Sequence, residues 1–293
     1  MKTLTIFTPT YNRGYILPKL YDCLCKQTCL DFVWLVVDDG STDNTHELIT
    51  EWKNENKIEI QYFYQQNGGK MRAHNRGVKE CKTPLFFCVD SDDSIFTNTV
   101  DRIVEEYKKL IERKDFEKLC GFLAKRHMKN KVTHHMPNVE SSTMTDIYKG
   151  GFKGETSIVF RTDIISLFPF PEIPGEKFVP ESYSYNQIDQ KYKYLIYDES
   201  WIICEYLDDG YSFNWEKNYR ENPKGWAMQY HQNYRFFAKT IRTKYEMMSK
   251  YISFSLDAKI NIFTIVLKSP SVLFCIICLP FVYYKNCLLK SKK

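Results

Sequence analysis

Leu85-Phe86-Phe87-Cys88-Val89-Asp90-Ser91-Asp92-Asp93 sets five apolar residues of strand type directly before three carboxylates within four positions. A strand buried on both faces must deliver such charges to solvent or to a cation, because an isolated carboxylate is too costly to keep ionised in an apolar interior. Like charges at this spacing repel one another, and a hard divalent cation such as Mg²⁺ or Mn²⁺, which takes oxygen ligands, relieves that repulsion. Without a cation the same residues read as an acidic turn opening the next helix, with Asp93 or Ser94 as its N-cap. The flanking sequence has to decide between the two.

Upstream, one arrangement repeats. Leu4-Thr5-Ile6-Phe7-Thr8 reads as a strand followed by the loop Pro9-Thr10-Tyr11-Asn12-Arg13-Gly14, and residues 16–26 carry Leu17, Leu20, Tyr21 and Leu24 at helical spacing. Phe32-Val33-Trp34-Leu35-Val36-Val37 is apolar throughout, the pattern of a parallel strand covered on both faces. It ends in Asp38-Asp39-Gly40-Ser41-Thr42-Asp43, where Ser41 or Asp43 can cap a helix through residue 52. Residues 58–64 predict a third strand, Asn67-Gly68-Gly69-Lys70 a loop, 71–81 a helix, 84–89 the fourth strand and 97–112 a long helix. Alternating strands and helices predict an α/β fold with a doubly wound parallel sheet, whose ligands bind beyond the carboxyl ends of the strands. Thr8 to Arg13, Asp38 and Asp39, Gly68 to Lys70 and Asp90 to Asp93 all fall there. No G-x-G-x-x-G follows the first strand, and Asn67-Gly68-Gly69-Lys70 lacks the upstream glycine and the following Ser or Thr of a P-loop.

The second half is more mixed. Residues 119–126, 157–160 and 194–207 predict further strands, and His127, His134 and His135 fall in a polar stretch without the partner spacing of a zinc site. Pro169, Pro171, Pro174 and Pro180 mark an extended loop before a short helix opening at Glu181 and running to residue 192. Residues 226–250 predict a helix rich in aromatic, Lys and Arg residues, and 251–267 a second helix. Residues 272–284 are apolar but include Pro280, and they fall short of the roughly twenty residues that a bilayer span needs. An interfacial or re-entrant anchor is the reading preferred for them.

Composition narrows the class. The balance of 41 basic and 36 acidic residues gives +5, with Lys285, Lys290, Lys292 and Lys293 crowding the end. No basic run interleaved with aromatics occurs in the body of the chain, so a nucleic-acid partner is not expected, whereas basic residues beside an apolar stretch suit an anionic membrane surface. The 10 cysteines lie in apolar contexts without disulfide or zinc spacing and read as reduced and buried, Cys275 and Cys278 included. A cytoplasmic protein, peripheral at the inner face of the membrane, is the expected setting, since the chain begins directly with a strand and no signal peptide precedes it.

Thr8-Pro9-Thr10-Tyr11-Asn12-Arg13, Val36-Val37-Asp38-Asp39-Gly40-Ser41-Thr42-Asp43, Asn67-Gly68-Gly69-Lys70 with Ala73, Asn75 and Gly77, and Val89-Asp90-Ser91-Asp92-Asp93 stand in the order of the family 2 glycosyltransferases, which this chain resembles over residues 1–112 and more loosely to 212. Phe178-Val179-Pro180-Glu181 and Asp209-Gly210-Tyr211-Ser212 resemble a bacterial surface-polysaccharide subgroup. The resemblance implies a GT-A fold, a Rossmann-like mostly parallel sheet flanked by helices. Residues 1–221 would be the catalytic domain (1–112 the nucleotide-binding half, 113–221 the acceptor half), and 222–293 a helical appendage with a membrane-associating segment at 271–289.

The resemblance also implies roles. Asp92 is the ligand of Mn²⁺ or Mg²⁺, and Asp90 contacts metal or ribose, with Asp93 as a substitute. Asp39, or alternatively Asp38, accepts a hydrogen bond from the base; Thr8, Tyr11 and Arg13 line the nucleotide pocket with Gly69, Asn75 and Ser91; Lys70 and Arg72 are the nearest cations for a diphosphate. Glu181 is the base that takes the acceptor's proton, in a departure from the family's usual Glu-Asp pair, because Pro180 and Glu181 stand in their place. Its alternative part is a glutamate stabilised at a helix N-terminus, and Asp209 is a fallback acid. The expected partners are a nucleotide-sugar donor, a glycan or lipid-linked acceptor and a membrane surface. A sugar nucleotidyltransferase would call for a glycine-rich activating loop that residues 8–14 do not supply, and a non-catalytic assembly subunit would have no need of Asp90, Asp92 and Glu181.

Overall fold

The computed structural model of the chain describes residues 1–129, 134–204 and 215–290. The chain forms two compact units, Met1–Phe170 with Ser184–Asp208, and Pro171–Tyr183 with Asp209–Lys293. The division differs from a single boundary after residue 221, because the proline-rich segment goes with the C-terminal helices.

In the first unit β1 (Leu4–Thr10), α1 (Leu17–Cys25), β2 (Phe32–Asp38), α2 (Thr45–Glu55), β3 (Ile60–Tyr64), α3 (Lys70–Glu80), β4 (Leu85–Cys88), β5 (Ser94–Ile95) and α4 (Thr99–Ile111) follow one another. Next come β6 (Leu119–Met128), β7 (Ser141–Ser142), α5 (Met144–Lys149), β8 (Thr156–Arg161), α6 (Thr162–Ile165), α7 (Ser182–Asp189), whose first two residues belong to the second unit, and β9 (Lys193–Cys204). The sheet runs β3-β2-β1-β4-β8-β6-β9-β5, with β7 against β9. β3, β2, β1 and β4 are parallel, β8 is antiparallel to both its neighbours, and β6 and β9 are parallel again. This is the mostly parallel α/β sheet that the sequence predicts.

Alternation along the strands explains why both faces are closed. Ile6, Trp34 and Phe87 enter one core with Leu17, Leu20, Trp52 and Val100 from the helices, while Phe7, Leu35 and Phe86 enter the other with Ala73. In the first core the rings of Tyr21 and Trp52 stack at 4.4 Å. In the second, α3 lies so close to β1 that a Cβ on Gly77 would come within 2.4 Å of the Phe7 ring, which is fully buried. Alanine gains about 1 kcal/mol of helix propensity over glycine, but overpacking a rigid core costs about 1–3 kcal/mol. Gly77→Ala should therefore lower the melting temperature; an increase would show that Phe7 can yield.

The second unit holds α8 (Trp215–Glu221), α9 (Pro223–Phe237), α10 (Ile241–Asp257), α11 (Ile262–Leu267) and α12 (Val272–Lys290). Neither helix expected at 226–250 and 251–267 is continuous. The Thr240 side chain accepts from the Thr243 amide while Thr243 Oγ1 accepts from the Thr240 amide, a reciprocal cap that starts a new helix. A second break follows Asp257, where Lys259 turns at φ 56° and the Asn261 side chain caps α11 through the Thr264 amide. Met248, Ile252, Ile265, Cys275, Cys278 and Val282 form this unit's core. Among the described residues no helix is long and apolar enough to cross a membrane.

Candidate functional site

In the first unit, the loops at the carboxyl ends of β1 to β4 are stitched together by their own polar side chains. The Thr42 amide donates to Asn12 Oδ1 at 2.7 Å, the Asn12 amide to Ser41 Oγ at 2.8 Å, and the Gly14 amide to Asp43 Oδ2 at 2.9 Å. Asp43 thus braces two loops, and α2 takes Asn44 as its N-cap without a side-chain bond. Asp39 is buried and accepts from Gln65 Nε2 (2.7 Å), the Gly68 amide (2.9 Å) and the Gly69 amide (2.7 Å), so it shapes the loop after β3. Gly69 can present its amide this way because its φ of 93° is one that residues with a Cβ avoid. Asp38 accepts from the Ser41 amide and from Tyr62 Oη, each at 2.7 Å.

The acidic tip behaves as three different groups. Lys70, the first residue of α3, reaches Asp90 with Nζ at 2.8 and 3.0 Å from the two oxygens. Burial works against ionisation of Asp90, but the charges of Lys70 and Arg126 outweigh it and hold the carboxyl below its usual range. Asp92 goes the other way: burial and the neighbouring Asp90 charge push its carboxyl up, and the cations Arg13 and Lys70 only partly compensate. Asp93 is 4% exposed and faces Arg126 Nη1 at 3.1 Å. It caps no helix, since β5 follows it directly and α4 begins at Thr99 after Asn98. The expectation that Asp93 or Ser94 opens a helix is thereby corrected: the chain runs straight into β5 and the Asp93 side chain turns inward to Arg126, where burial, only partly offset by the guanidinium, pushes its carboxyl up to about 7.

Other expected pocket residues divide. Tyr11 is half-exposed and Arg13 sits on the same loop, its guanidinium donating to Tyr15 Oη at 2.6 Å. Ser91 is buried within the acidic tip. Thr8, fully buried, donates to the Val89 carbonyl at 2.9 Å and accepts from Trp34 Nε1 at 3.0 Å, so it ties β1 to the strand that carries the carboxylates. Asn75 clamps the Phe170 backbone, donating to its carbonyl at 2.8 Å and accepting from its amide at 2.9 Å. Arg72 Nη1 donates to the Gly68 carbonyl at 2.6 Å.

Glu181 belongs to the second unit. It is exposed and directly precedes α7, and the Tyr183 amide donates to the Pro180 carbonyl at 2.9 Å. The segment leading to it is strapped to α9. Glu176 accepts from the Lys224 and Gly225 amides, both at 2.9 Å, and Asn222 Oδ1 accepts from the Lys177 amide at 2.9 Å and the Phe178 amide at 3.0 Å. A Cβ on Gly225 would lie 2.4 Å from the Phe178 carbonyl. Asp209-Gly210-Tyr211-Ser212 lies outside the described residues.

No three His, Cys, Asp or Glu side chains among the described residues converge into a ready cage for a metal ion. Asp92 with Asp90 nonetheless fits the open donor set of a nucleotide-associated cation, which uses one or two carboxylates and completes its shell with phosphate and water. Burial first, and then the Asp90 charge, push the Asp92 carboxyl up, and a cation held there would oppose both.

The family model described as Glycosyl transferase family 2 matches residues 5–167, more than half of the chain. The chain belongs to this family. Like other glycosyl transferase family 2 members, it has curated relatives named as glycosyltransferases: GlyG of Streptococcus pneumoniae is 29% identical over 120 residues, 40% of this chain and 38% of GlyG. The chain therefore spans well under half the length of that relative. Among solved structures, Staphylococcus aureus TarS 1–349 in complex with UDP-GlcNAc superposes with a TM-score of 0.58 at 17% identity, over 87% of this chain and 81% of that one. The mannosyltransferase PcManGT of Pyrobaculum calidifontis, with GDP-Man and Mn²⁺, gives 0.52 at 15% identity over 97% and 86%. At these identities the shared property is the GT-A fold.

For this family 2 chain, sequence reasoning missed the Lys70–Asp90 and Arg126–Asp93 pairs and the strap from Glu176 and Asn222. Only Lys70 carried a signal, as the cation closing a glycine loop; Arg126 lies 33 residues beyond Asp93 with no motif to link them. The Asp39 geometry yields a prediction. Asp39→Ala would leave the Gly68 and Gly69 amides and Gln65 Nε2 without their acceptor, at a cost of about 2–4 kcal/mol. Thermal unfolding should show the loss; an unchanged melting temperature would mean that the loop does not depend on Asp39.

Proposed function

We propose that the protein moves a sugar, hexosyl or N-acetylhexosaminyl, from a nucleoside-diphosphate sugar to a hydroxyl of a glycan or lipid-linked acceptor. The setting proposed is cell-surface polysaccharide synthesis at the inner face of the membrane. The observation that carries this reading is the Lys70–Asp90 ion pair beside Asp92, at loops that close on one another beyond the ends of parallel strands. One cation and two carboxylates at that place suit a diphosphate and its counter-ion. The UDP-GlcNAc of the TarS structure and the GDP-Man and Mn²⁺ of PcManGT support a nucleotide-sugar donor on this fold.

Each residue then has a part. Lys70, with Arg13, Tyr11 and Ser91, faces the diphosphate and nucleoside, and Gly69, whose amide is given to Asp39, lets the loop close beside them. Asp39 keeps lone-pair capacity for a donor on the base beyond the three bonds that it accepts. Thr8 and Asn75, whose side chains are committed to the scaffold, hold the strand and helix that present the others. Asp92, with Asp90, would hold Mg²⁺ or Mn²⁺, which supplies charge stabilisation to the departing diphosphate when bound. Glu181 accepts the acceptor's hydroxyl proton as that oxygen bonds to the anomeric carbon and the bond to the diphosphate breaks, with inversion.

Incubating the protein with a panel of nucleotide sugars and Mn²⁺ tests the reading. The expected result is consumption of one donor with release of its nucleoside diphosphate and a product of inverted anomeric configuration. Release of pyrophosphate from a nucleoside triphosphate and a sugar phosphate would instead indicate a nucleotidyltransferase.

A further inference from the structure

The helix α12 is apolar on two opposite sides. Cys275, Cys278 and Val282 are buried in the core of the second unit. On the opposite side Leu273, Ile276, Ile277, Phe281 and Tyr284 are exposed, Leu273 at 73% and Phe281 at 66%, at the spacing of a single helical stripe. In the same unit, α11 exposes Ile262, Phe263 and Leu267, with Phe263 at 73%. Scattered apolar residues at a protein surface need no explanation, but a continuous stripe of large ones does.

Charge identifies what covers it. From residue 258 to the end the chain holds six lysines, Lys259, Lys268, Lys285, Lys290, Lys292 and Lys293, and no Asp or Glu. The apolar residues 272–284 lie between Lys268 and Lys285 and contain no charge. Tyr283 and Tyr284 stand at the lysine-bearing end, where amphipathic rings suit a headgroup boundary. A second copy of the chain is a poor occupant: a two-fold interface sets the same patch against itself, so lysine would meet lysine with no carboxylate in the segment to answer it.

We propose that the exposed stripe of α12, with Phe263 and Leu267 of α11, lies in the interface of an anionic bilayer, its apolar side chains in the acyl boundary and the net positive charge of the segment matched by the anionic headgroups. The proposal deepens the membrane setting of the function above and rests on it only for location, because the stripe belongs to the second unit and uses no residue assigned to the donor. The helix is too short in its apolar part to span, so it binds in the plane of the surface and reversibly.

Flotation of the full chain with vesicles tests this. The protein should rise with phosphatidylcholine vesicles that contain phosphatidylglycerol, and rise less with phosphatidylcholine alone or in high salt. The triple variant Leu273→Ser, Ile277→Ser, Phe281→Ser, altered only at exposed positions, should keep the wild-type melting temperature and nucleoside diphosphate binding while its vesicle partition falls about tenfold or more. Wild-type protein that stays unbound on anionic vesicles overturns the proposal. So does a wild-type dimer that the triple variant converts to monomer, because the stripe would then be covered by a second copy. Unchanged nucleotide binding in either case would leave the proposed reaction standing.

Discussion

Replacing Asp92 with alanine should abolish the thermal stabilisation that a nucleoside diphosphate and Mn²⁺ confer together, and should lower turnover by about 10²–10³-fold. Asp90 already has a cation in Lys70; Asp93 is pushed up to about 7 by burial but is 4% exposed and turned to Arg126, whereas Asp92 is pushed up by burial and by Asp90 and is only partly buried. It is therefore the one of the three that an entering cation can reach and whose charge it would relieve. A ligand at a hundred times its Kd stabilises the folded state by about 2.7 kcal/mol, which for a domain of this size raises the melting temperature by roughly 5–10 °C. The variant should show almost none of that rise. A response equal to wild type would remove Asp92 from the site and move attention to Asp90.

Glu181→Gln carries the second large effect. The substitution keeps shape and removes the basic oxygen, so donor binding should persist while kcat falls by about 10²–10⁴-fold, the range for loss of a positioned general base. Because Glu181 is exposed and its segment is held by bonds from Glu176 and Asn222 to backbone amides, the change should leave the fold intact. Kinetics with saturating donor would separate the effects: an unaltered KM for the donor with a collapsed kcat supports the assignment. Retained turnover would transfer the role to Asp209.

The longer strands of the sheet were legible, whereas β5 and β7, at two residues each, were too short to leave a pattern. Phe32 to Val37 carries no polar residue, and its shortness with β-branched and aromatic content suits a strand covered on both faces; the structure buries it in two cores. The acidic tip was legible as a site for the opposite reason, since charge does not follow an apolar strand without a purpose. What the sequence could not convey was the destination of each side chain. Thr8 and Asn75 stand in motifs beside the site, yet one bonds Val89 and Trp34 and the other holds Phe170, partners set by tertiary packing across 95 residues in the second case. Asp93 looked like a helix cap because Asp is a good one; its arginine comes from a strand 33 residues away. In the second unit, the aromatic run from Trp226 onward hid the break at Thr240, where a local cap overrides the apolar periodicity.

Binding of a nucleoside diphosphate at the β1 to β4 loop ends should depend on a divalent cation. Titration calorimetry of UDP and GDP into the wild-type protein, once with Mn²⁺ and once with a chelator, tests it most directly. The account predicts saturable binding of at least one of the two with Mn²⁺, weakened about tenfold or more by the chelator. Equal affinity in both conditions, or no binding of either nucleotide, would contradict it.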